Sequence, residues 1–220
     1  GKLSIYVLFL AGVLMCGAVA WSGEQTPGEK APELNEMTMR VLQGKIKVVE
    51  RLAAQPVLVK AVQEQNARET SLEKIKAIDT EWIAGEGLEF VESLLGNMTS
   101  DRLRRKVRSN KMVYTEAFMC DKQGALVGAY PKTSDYWQGD EGKFTECFNG
   151  GDGQVFIGPM EFDKSTQSYS VQVSVPVKVT VAVAEDSAEG SEATTREETI
   201  GVLVVGIRNI APSIEKDDKQ

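Results

Sequence analysis

The sequence predicts an α+β fold, in which helices precede an antiparallel sheet of about five strands and pack on one side of it. Apolar residues recur every three to four positions through residues 35–111, which indicates amphipathic helices. Alternation with a period of two dominates residues 112–210 and indicates strands. The chain is therefore expected to comprise an anchor or signal segment (1–21), a linker (22–34), a helical stalk (35–111), a sheet domain (112–210) and a polar tail (211–220).

The composition indicates a packed core and argues against binding to nucleic acid. The chain has 220 residues, of which 42% are hydrophobic, and this is enough apolar material for one packed core. The formal net charge is -7, so no broad basic surface for nucleic acid is expected. One short basic cluster lies between Arg102 and Lys111. It is interpreted as the solvated face of a helix, or else as a contact with acidic lipid or a partner.

The absence of histidine removes most familiar catalytic arrangements. Histidine bases, Ser-His or Cys-His nucleophiles and histidine-ligated zinc are all excluded, so neither an enzyme nor a cofactor or metal site is expected. Cys120 and Cys147 lie in the sheet domain without the Cys-x-x-Cys spacing of a metal or redox motif. They could form a disulfide in an exported domain, or remain two buried thiols.

The N-terminal apolar run begins at Leu3 and ends at Trp21, and it contains no charged residue. Its length is just sufficient to cross a bilayer as a helix, and Lys2 in front of it favours a cytoplasmic N-terminus. The alternative is a cleaved signal peptide, because residues 18–20 read Ala-Val-Ala. We expect a retained anchor, and hence a single-pass inner-membrane protein with a periplasmic domain.

Several short signals divide the stalk into helices. Pro56 interrupts the first apolar pattern, and Ser71 is suited to cap a helix that runs to Ala84. Thr99 or Ser100 is expected to cap the last stalk helix. The apolar stripe of the first helix comprises Met37, Val41, Ile46, Val49, Leu52 and Ala53. It is expected to pack on the sheet, with a dimerising stalk as the alternative.

Five strands are expected in the sheet domain, at about 113–120, 125–130, 155–158, 168–184 and 200–207. The last is almost continuously apolar, which favours a central position. Residues 161–167 are interpreted as a turn and the acidic residues 185–198 as a loop. Pro176 indicates a bend or bulge within the fourth strand.

In these segments the chain resembles the Cache family of extracytoplasmic, PAS-like sensor domains, also called PDC sensors. The resemblance lies in the long N-terminal helix, the hairpin at 117–124, the loop at 133–141 and the strands at 171–177 and 200–207. The Tyr-Trp-Gln-Gly-Asp-Glu run within that loop is similar to that of small stand-alone bacterial proteins with this domain. The resemblance implies a pocket between the sheet and the loop-helix segment, where family members bind small metabolites such as carboxylates, amino acids or amines.

The family's amino-acid-binding pattern has an arginine shortly before a Trp-Tyr pair, and an aspartate in the last strand. Here Ser134 stands near the arginine position and Gly206 near the aspartate position, and the aromatic order is Tyr136-Trp137. The resemblance therefore does not imply amino-acid recognition.

The candidate ligand-binding residues lie on the first strand, in the loop and at the start of the long strand. They are Tyr114, Glu116, Phe118, Asp135, Tyr136, Trp137 and Tyr169, with Tyr130 and Gln172 as weaker candidates. Tyr114, Glu116 and Phe118 are expected to share one strand face. The aromatic pair could instead pack the loop onto the sheet, and Asp135, Asp140 and Glu141 could instead cap the next helix.

Two functions follow as hypotheses. The first is a small-molecule sensor module without an output domain of its own, which acts through a signalling partner. The second is an accessory structural subunit of a membrane protein complex, in which the domain caps the periplasmic face.

Overall fold

The computed structural model describes residues 36–163, 168–182 and 195–209. The helices are α1 (Glu36–Ala53), α2 (Pro56–Asn66), α3 (Leu72–Ala84), α4 (Leu88–Gly96), α5 (Met98–Ser109) and α6 (Gly142–Phe148). The strands are β1 (Tyr114–Asp121), β2 (Leu126–Tyr130), β3 (Phe156–Ile157), β4 (Glu161–Asp163), β5 (Ser168–Ala182) and β6 (Thr195–Arg208). This order confirms the predicted α+β class.

Capping residues fix where the stalk helices begin. The Ser71 side chain accepts the N–H of Lys74, as the sequence predicted for α3. The prediction for α5 was wrong, because Asn97 is the cap and its side chain accepts the N–H of Ser100 at 2.8 Å. Thr99 and Ser100 instead lie buried inside the first turn of the helix.

All the strand pairs described are antiparallel, in the order β2-β1-β6-β5-β3, with β4 also on β5. The predicted central position of β6 is confirmed. The sheet has six strands because residues 161–163, expected in a turn, pair with the start of β5. Strand β6 also begins earlier than expected, at Thr195, because the long β5 offers partners to its polar first residues. The register shift in β5 falls at Val177, one residue after the proline that indicated it.

One face of the sheet packs against α1, α2 and α5 and forms the stalk-side core. Its members include Leu42, Val49, Leu58, Val62, Leu103, Val107, Met119, Val173, Val175, Leu203 and Val205. The stalk stripes are thus core, as expected. Met37 and Val41 are exceptions, because they are 66% and 47% exposed while Leu42 takes the inward position.

The other face forms the loop-side core, which is covered by helices α3, α4 and α6 and by the segment 131–141. Its members include Ile75, Trp82, Val91, Leu94, Phe118, Cys120, Leu126, Tyr136, Phe144, Cys147, Val202 and Val204. The sheet therefore contributes side chains of alternate parity to two separate apolar clusters.

No helix within these three described ranges is long and apolar enough to cross a bilayer. The predicted anchor, from Leu3 to Trp21, lies outside the described residues.

Candidate functional site

The segment 131–141 is held against the β1–β2 hairpin by backbone hydrogen bonds. The N–H of Leu126 donates to the carbonyl of Tyr136 at 3.1 Å, and the N–H of Gln138 donates to the carbonyl of Gly124 at 2.8 Å. From α3, the Asp79 carboxylate accepts the N–H of Tyr136 at 2.7 Å and that of Trp137 at 3.0 Å. These contacts place the side chains of the segment over the loop-side face of the sheet.

Four polar side chains in the segment 131–141 and at the start of α6 form a connected group, here called the loop network: Asp135, Gln138, Glu141 and Lys143. Gln138 Nε2 donates to Asp135 Oδ1 at 2.6 Å, and Lys143 Nζ lies 2.8 Å from Glu141 Oε2. The N–H of Glu141 donates to the Gln138 carbonyl at 3.1 Å, which joins the two pairs. Lys143 Nζ also lies 5.4 Å from the ring centroid of Phe118, so the network reaches the sheet.

A polar pair lies on the sheet two residues from Phe118. Gln172 Nε2 on β5 donates to Glu116 Oε1 on β1 at 2.9 Å. Both residues are paired in register with Gly206 on the strand between them. A Cβ on Gly206 would lie 2.9 Å from Glu116 Cγ, so glycine here leaves room for the two side chains to meet.

Three buried polar atoms on this side lack a hydrogen-bond partner in the described structure: Gln138 Oε1, Ser174 Oγ and Thr199 Oγ1, which lies beside Gly153. Ser174 is 0% exposed and pairs in register with Val204, which belongs to the loop-side core. Buried polar atoms without partners are uncommon and often mark a bound water or ligand.

Burial and neighbouring charge shift the pKa values of groups at the site. Desolvation raises the pKa of Glu141. The ion pair with Lys143 acts against this effect, and the nearby Asp135 carboxyl raises the pKa further. Burial likewise raises the pKa of the Tyr136 hydroxyl above its ordinary value. Glu141 therefore shifts towards its protonated form.

The aromatic pair of the loop takes packing positions. The Tyr136 ring is 6% exposed and lies 6.0 Å from Trp82 and 5.3 Å from Phe90, centroid to centroid. Trp137 Nε1 donates to the Gln123 carbonyl at 2.8 Å, which ties the indole to the hairpin turn. Both contacts match the alternative in which this pair packs the loop onto the sheet.

Tyr114 and Tyr169 lie on the opposite side of the sheet, with the stalk-side core. The expectation that Tyr114 shares a face with Glu116 and Phe118 is therefore wrong. The register between β1 and β6 shifts between Tyr114 and Glu116, and this irregularity reverses the side on which Tyr114 lies.

The structure thus places Glu116 and Phe118 on the loop-side face of the sheet and Asp135 in the segment that covers this face, with Tyr136 packed beneath the loop. It adds Gln172, a weaker candidate, together with Gln138 and Lys143, which sequence reasoning missed. Lys143 did carry a signal, because it is the one cation between residues 135 and 148.

Cys120 and Cys147 both lie in the loop-side core as free, buried thiols. The disulfide is not formed in this structure, and the alternative of two buried thiols describes what is present. Within the described residues no group of three or more His, Cys, Asp or Glu side chains is placed to hold a metal ion.

The topology is Cache-like, with a long N-terminal helix on one face of the sheet and a loop with a small helix on the other. The structure is similar to the ligand-binding domain of the Campylobacter jejuni chemoreceptor Tlp3 in complex with 4-methylisoleucine, with 13% identity, a TM-score of 0.32 and coverage of 79% of this chain and 60% of that one. It is also similar to the sensory domain of the same chemoreceptor with isoleucine bound, with 16% identity, a TM-score of 0.31 and coverage of 78% and 62%.

This chain therefore spans about three-fifths of the length of those two sensory domains (60% and 62%). No protein-family model matches the sequence, and neither does any curated protein. The likeness to the Cache family accordingly rests on the topology and motifs of the chain itself.

Proposed function

We propose that this domain is a Cache-type sensor module that binds a small molecule on the loop-side face of its sheet. The observation that carries the proposal is the set of polar side chains on the loop-side face of the sheet and in the segment 131–141. Two of their atoms, Gln138 Oε1 and Ser174 Oγ, are buried without a hydrogen-bond partner among the described residues. A ligand that forms hydrogen bonds with these two atoms would recover the free energy that is lost when they are buried away from water.

The charges at this face favour a ligand with a cationic group, such as an amine. Glu116 on the sheet and Asp135 and Glu141 in the loop network carry three carboxyl groups, and Lys143, paired with Glu141, is the one cation of the network. Lys143 Nζ already lies 5.4 Å from the Phe118 ring, so this surface accommodates a cation. An amine placed near Glu116 would be stabilised by the excess of carboxylates.

The binding event would be passed on by contact with a partner protein. Segment 131–141 is bonded to α3 through Asp79 and to the hairpin through Leu126 and Gly124. A ligand that moves the segment would therefore also move α3, whose surface could contact a partner.

The test is thermal unfolding of the full chain against amines, carboxylates, amino acids and purines. A ligand at about 100 times its dissociation constant adds about 2.7 kcal/mol to the free energy of unfolding. The Glu116→Gln variant should lose the stabilisation by an amine. Glu161→Gln, which makes the same change at an exposed residue of β4, should retain it. If an amine raises the unfolding temperature of both variants equally, the ligand does not bind beside Glu116.

The second candidate is an accessory structural subunit of a membrane protein complex. It is favoured by the fact that the side chains at the face already bond to one another, as in the Gln172–Glu116 pair. Phe118 and Tyr136 are likewise buried against neighbouring side chains, with 1% and 6% of their surface exposed. If no compound in the panel shifts the unfolding transition, this candidate is preferred, and the partner should co-purify from membranes extracted under native conditions.

The proposed location is the periplasmic side of the inner membrane, with the apolar run from Leu3 to Trp21 as a retained single-pass anchor. Its support is the uncharged sequence of that run. The intact mass of protein extracted from membranes should include the residues before Trp21. A mass that begins at Trp21 would mean that the run is a cleaved signal peptide.

A further inference from the structure

A second recess lies on the stalk side of the sheet, where the C-terminal end of α5 meets β1, β2 and β6. It has a volume of about 170 Å³ and is called here the α5 cleft. Lys111, Tyr114, Tyr130 and Arg208 contribute its polar and aromatic lining, and Val107 contributes to its apolar lining. Tyr114 and Val107 belong to the stalk-side core, so the cleft is separate from the loop network.

Among the described residues, none forms an ion pair with either of the two cations that line the cleft. Arg208 Nε is buried and has no hydrogen-bond partner in the described structure. Its backbone is fixed by an N–H that donates to the Val113 carbonyl at 2.8 Å. Lys111 makes no ion pair with any of the residues that the structure describes. A buried donor on a permanent cation is costly to leave without an acceptor.

Further cations of α5 surround the two tyrosines. Arg108 Nε donates to the Tyr130 hydroxyl oxygen at 3.2 Å, and its guanidinium carbon lies 5.3 Å from the centroid of that ring. Arg104 lies 5.6 Å from the same centroid, and Lys106 Nζ lies 4.1 Å from the Tyr114 centroid. Five cations therefore cluster around the cleft in a chain whose formal net charge is -7.

Tyr130 supplies a further donor. Its oxygen accepts the hydrogen bond from Arg108, which leaves its own O–H free to donate. That bond, with the charges of Arg108, Lys111 and Arg104, lowers the pKa of the hydroxyl. The direction of the shift agrees with a positive potential at the mouth of the cleft.

We propose that the α5 cleft binds a phosphate group, held by Arg208 and Lys111 and by the hydroxyl of Tyr130. The three donors come from β6, from the turn after α5 and from β2, so they approach from different directions. A tetrahedral phosphate presents acceptor oxygens on all sides, whereas a planar carboxylate is matched by a single guanidinium fork. The phosphate could belong to a soluble compound or to a phospholipid headgroup.

This site lies across the sheet from the loop network, so the inference does not depend on the proposed function. It also gives a role to part of the basic cluster between Arg102 and Lys111, whereas Arg104 and Arg105 form ion pairs with Asp101. A solvated helix face would not explain why the cations converge on two tyrosines and a recess.

The experiment measures the unfolding temperature of the full chain in a neutral detergent. Inorganic phosphate is titrated in one arm. Short-chain phosphatidic acid is titrated in a second arm, with short-chain phosphatidylcholine as its neutral counterpart. The variants are Arg208→Gln and Lys111→Gln, and Lys122→Gln is the matched control. Lys122 is exposed in the turn at the far end of β1, so the same charge is removed away from the cleft.

We expect phosphate to raise the unfolding temperature with an affinity that falls as salt is added. Arg208→Gln should weaken the affinity by about tenfold or more, and Lys111→Gln by about threefold. Lys122→Gln should bind as the parent does. A cleft-dependent response to phosphatidic acid that exceeds the response to phosphate would assign the phosphate to a lipid headgroup. A stronger response to phosphate would assign it to a soluble compound.

The proposal is overturned if neither phosphate nor phosphatidic acid stabilises the chain. It is also overturned if all three variants, including the control, weaken the response equally, because the effect would then arise from general charge. Thermal unfolding without ligand shows whether each variant is folded. Should Arg208→Gln fail to fold, Arg208→Lys keeps the charge and removes the buried Nε donor, and it should still bind phosphate more weakly.

Discussion

The Oδ1 atom of Asp79 accepts the backbone N–H of Tyr136 at 2.7 Å, across 57 positions of sequence. The same oxygen accepts the next N–H along the chain, that of Trp137, at 3.0 Å. One carboxylate of α3 therefore fixes the backbone of the loop at the point where its aromatic pair begins. The orientation of the loop network depends on this contact, although Asp79 is not part of the network.

Replacing Asp79 should release the loop. We expect Asp79→Ala to lower the free energy of unfolding by about 1–3 kcal/mol, because two backbone N–H groups lose their acceptor. Asp79→Asn keeps one acceptor oxygen and should cost less. Urea denaturation of the three proteins gives the values. Equal stability of Asp79→Ala and the parent would show that water replaces the carboxylate without cost.

The β1–β2 turn depends on a second carboxylate. Asp121 Oδ1 accepts the N–H groups of Gln123 and Ala125 at 2.8 and 3.0 Å, and Gln65 Nε2 donates to Oδ2 at 2.9 Å. Since Asp121 is 3% exposed, Asp121→Ala should cost roughly 2–3 kcal/mol of unfolding free energy by denaturant titration. Lys122→Ala, at the exposed neighbouring position, should change stability by less than about 0.5 kcal/mol. Similar losses in both variants would contradict this account of the turn.

Elements whose signals are local were predicted well from the sequence. Ser71 caps α3, as its residue type at the start of the helix predicted. Strand β6 lies at the centre of the sheet, as its nearly continuous apolar run predicted for a strand that is buried on both faces. The face of Tyr114 was predicted wrongly, since the irregularity between Tyr114 and Glu116 arises from pairing with a distant strand. Alternation alone does not reveal where a register shifts.

The candidate site was predicted in part for a similar reason. Glu116 and Phe118 were found because alternation places them on one face. Gln172 and Lys143 join them only through the fold, which brings β5 beside β6 and places α6 over the sheet. Trp137 was ranked as a ligand contact, but its indole N–H is taken up by the Gln123 carbonyl. No sequence pattern distinguishes an aromatic side chain that binds a ligand from one that anchors a loop.

The raised pKa of Glu141 predicts a pH dependence of stability. Because the folded pKa lies above its ordinary value of 4.5, the folded state retains a proton that the unfolded chain releases. The stability from this group is complete below that ordinary value, and it is lost as the pH rises through the folded pKa. Relative to Glu141→Gln, the parent should therefore be more stable at about pH 4.5 than at about pH 7.

The measurement is denaturant unfolding of the parent and Glu141→Gln at a series of pH values. Burial also raises the pKa of Asp121, but this residue is present in both proteins, so its contribution cancels in the difference. An advantage of the parent that grows with rising pH would mean that the ion pair with Lys143 outweighs burial and that the folded pKa is lowered.

Burial of the two cysteines in the loop-side core predicts thiols that are slow to react. Desolvation raises the pKa of Cys147 to about 12 and that of Cys120 well above its ordinary value. At about pH 8 a thiol with such a pKa has on the order of a thousandfold less thiolate than an ordinary cysteine. We expect both to resist iodoacetamide in the native chain and to react promptly in concentrated guanidinium chloride. Peptide mapping assigns each label, and a non-reducing map that shows Cys120 linked to Cys147 would establish the disulfide instead.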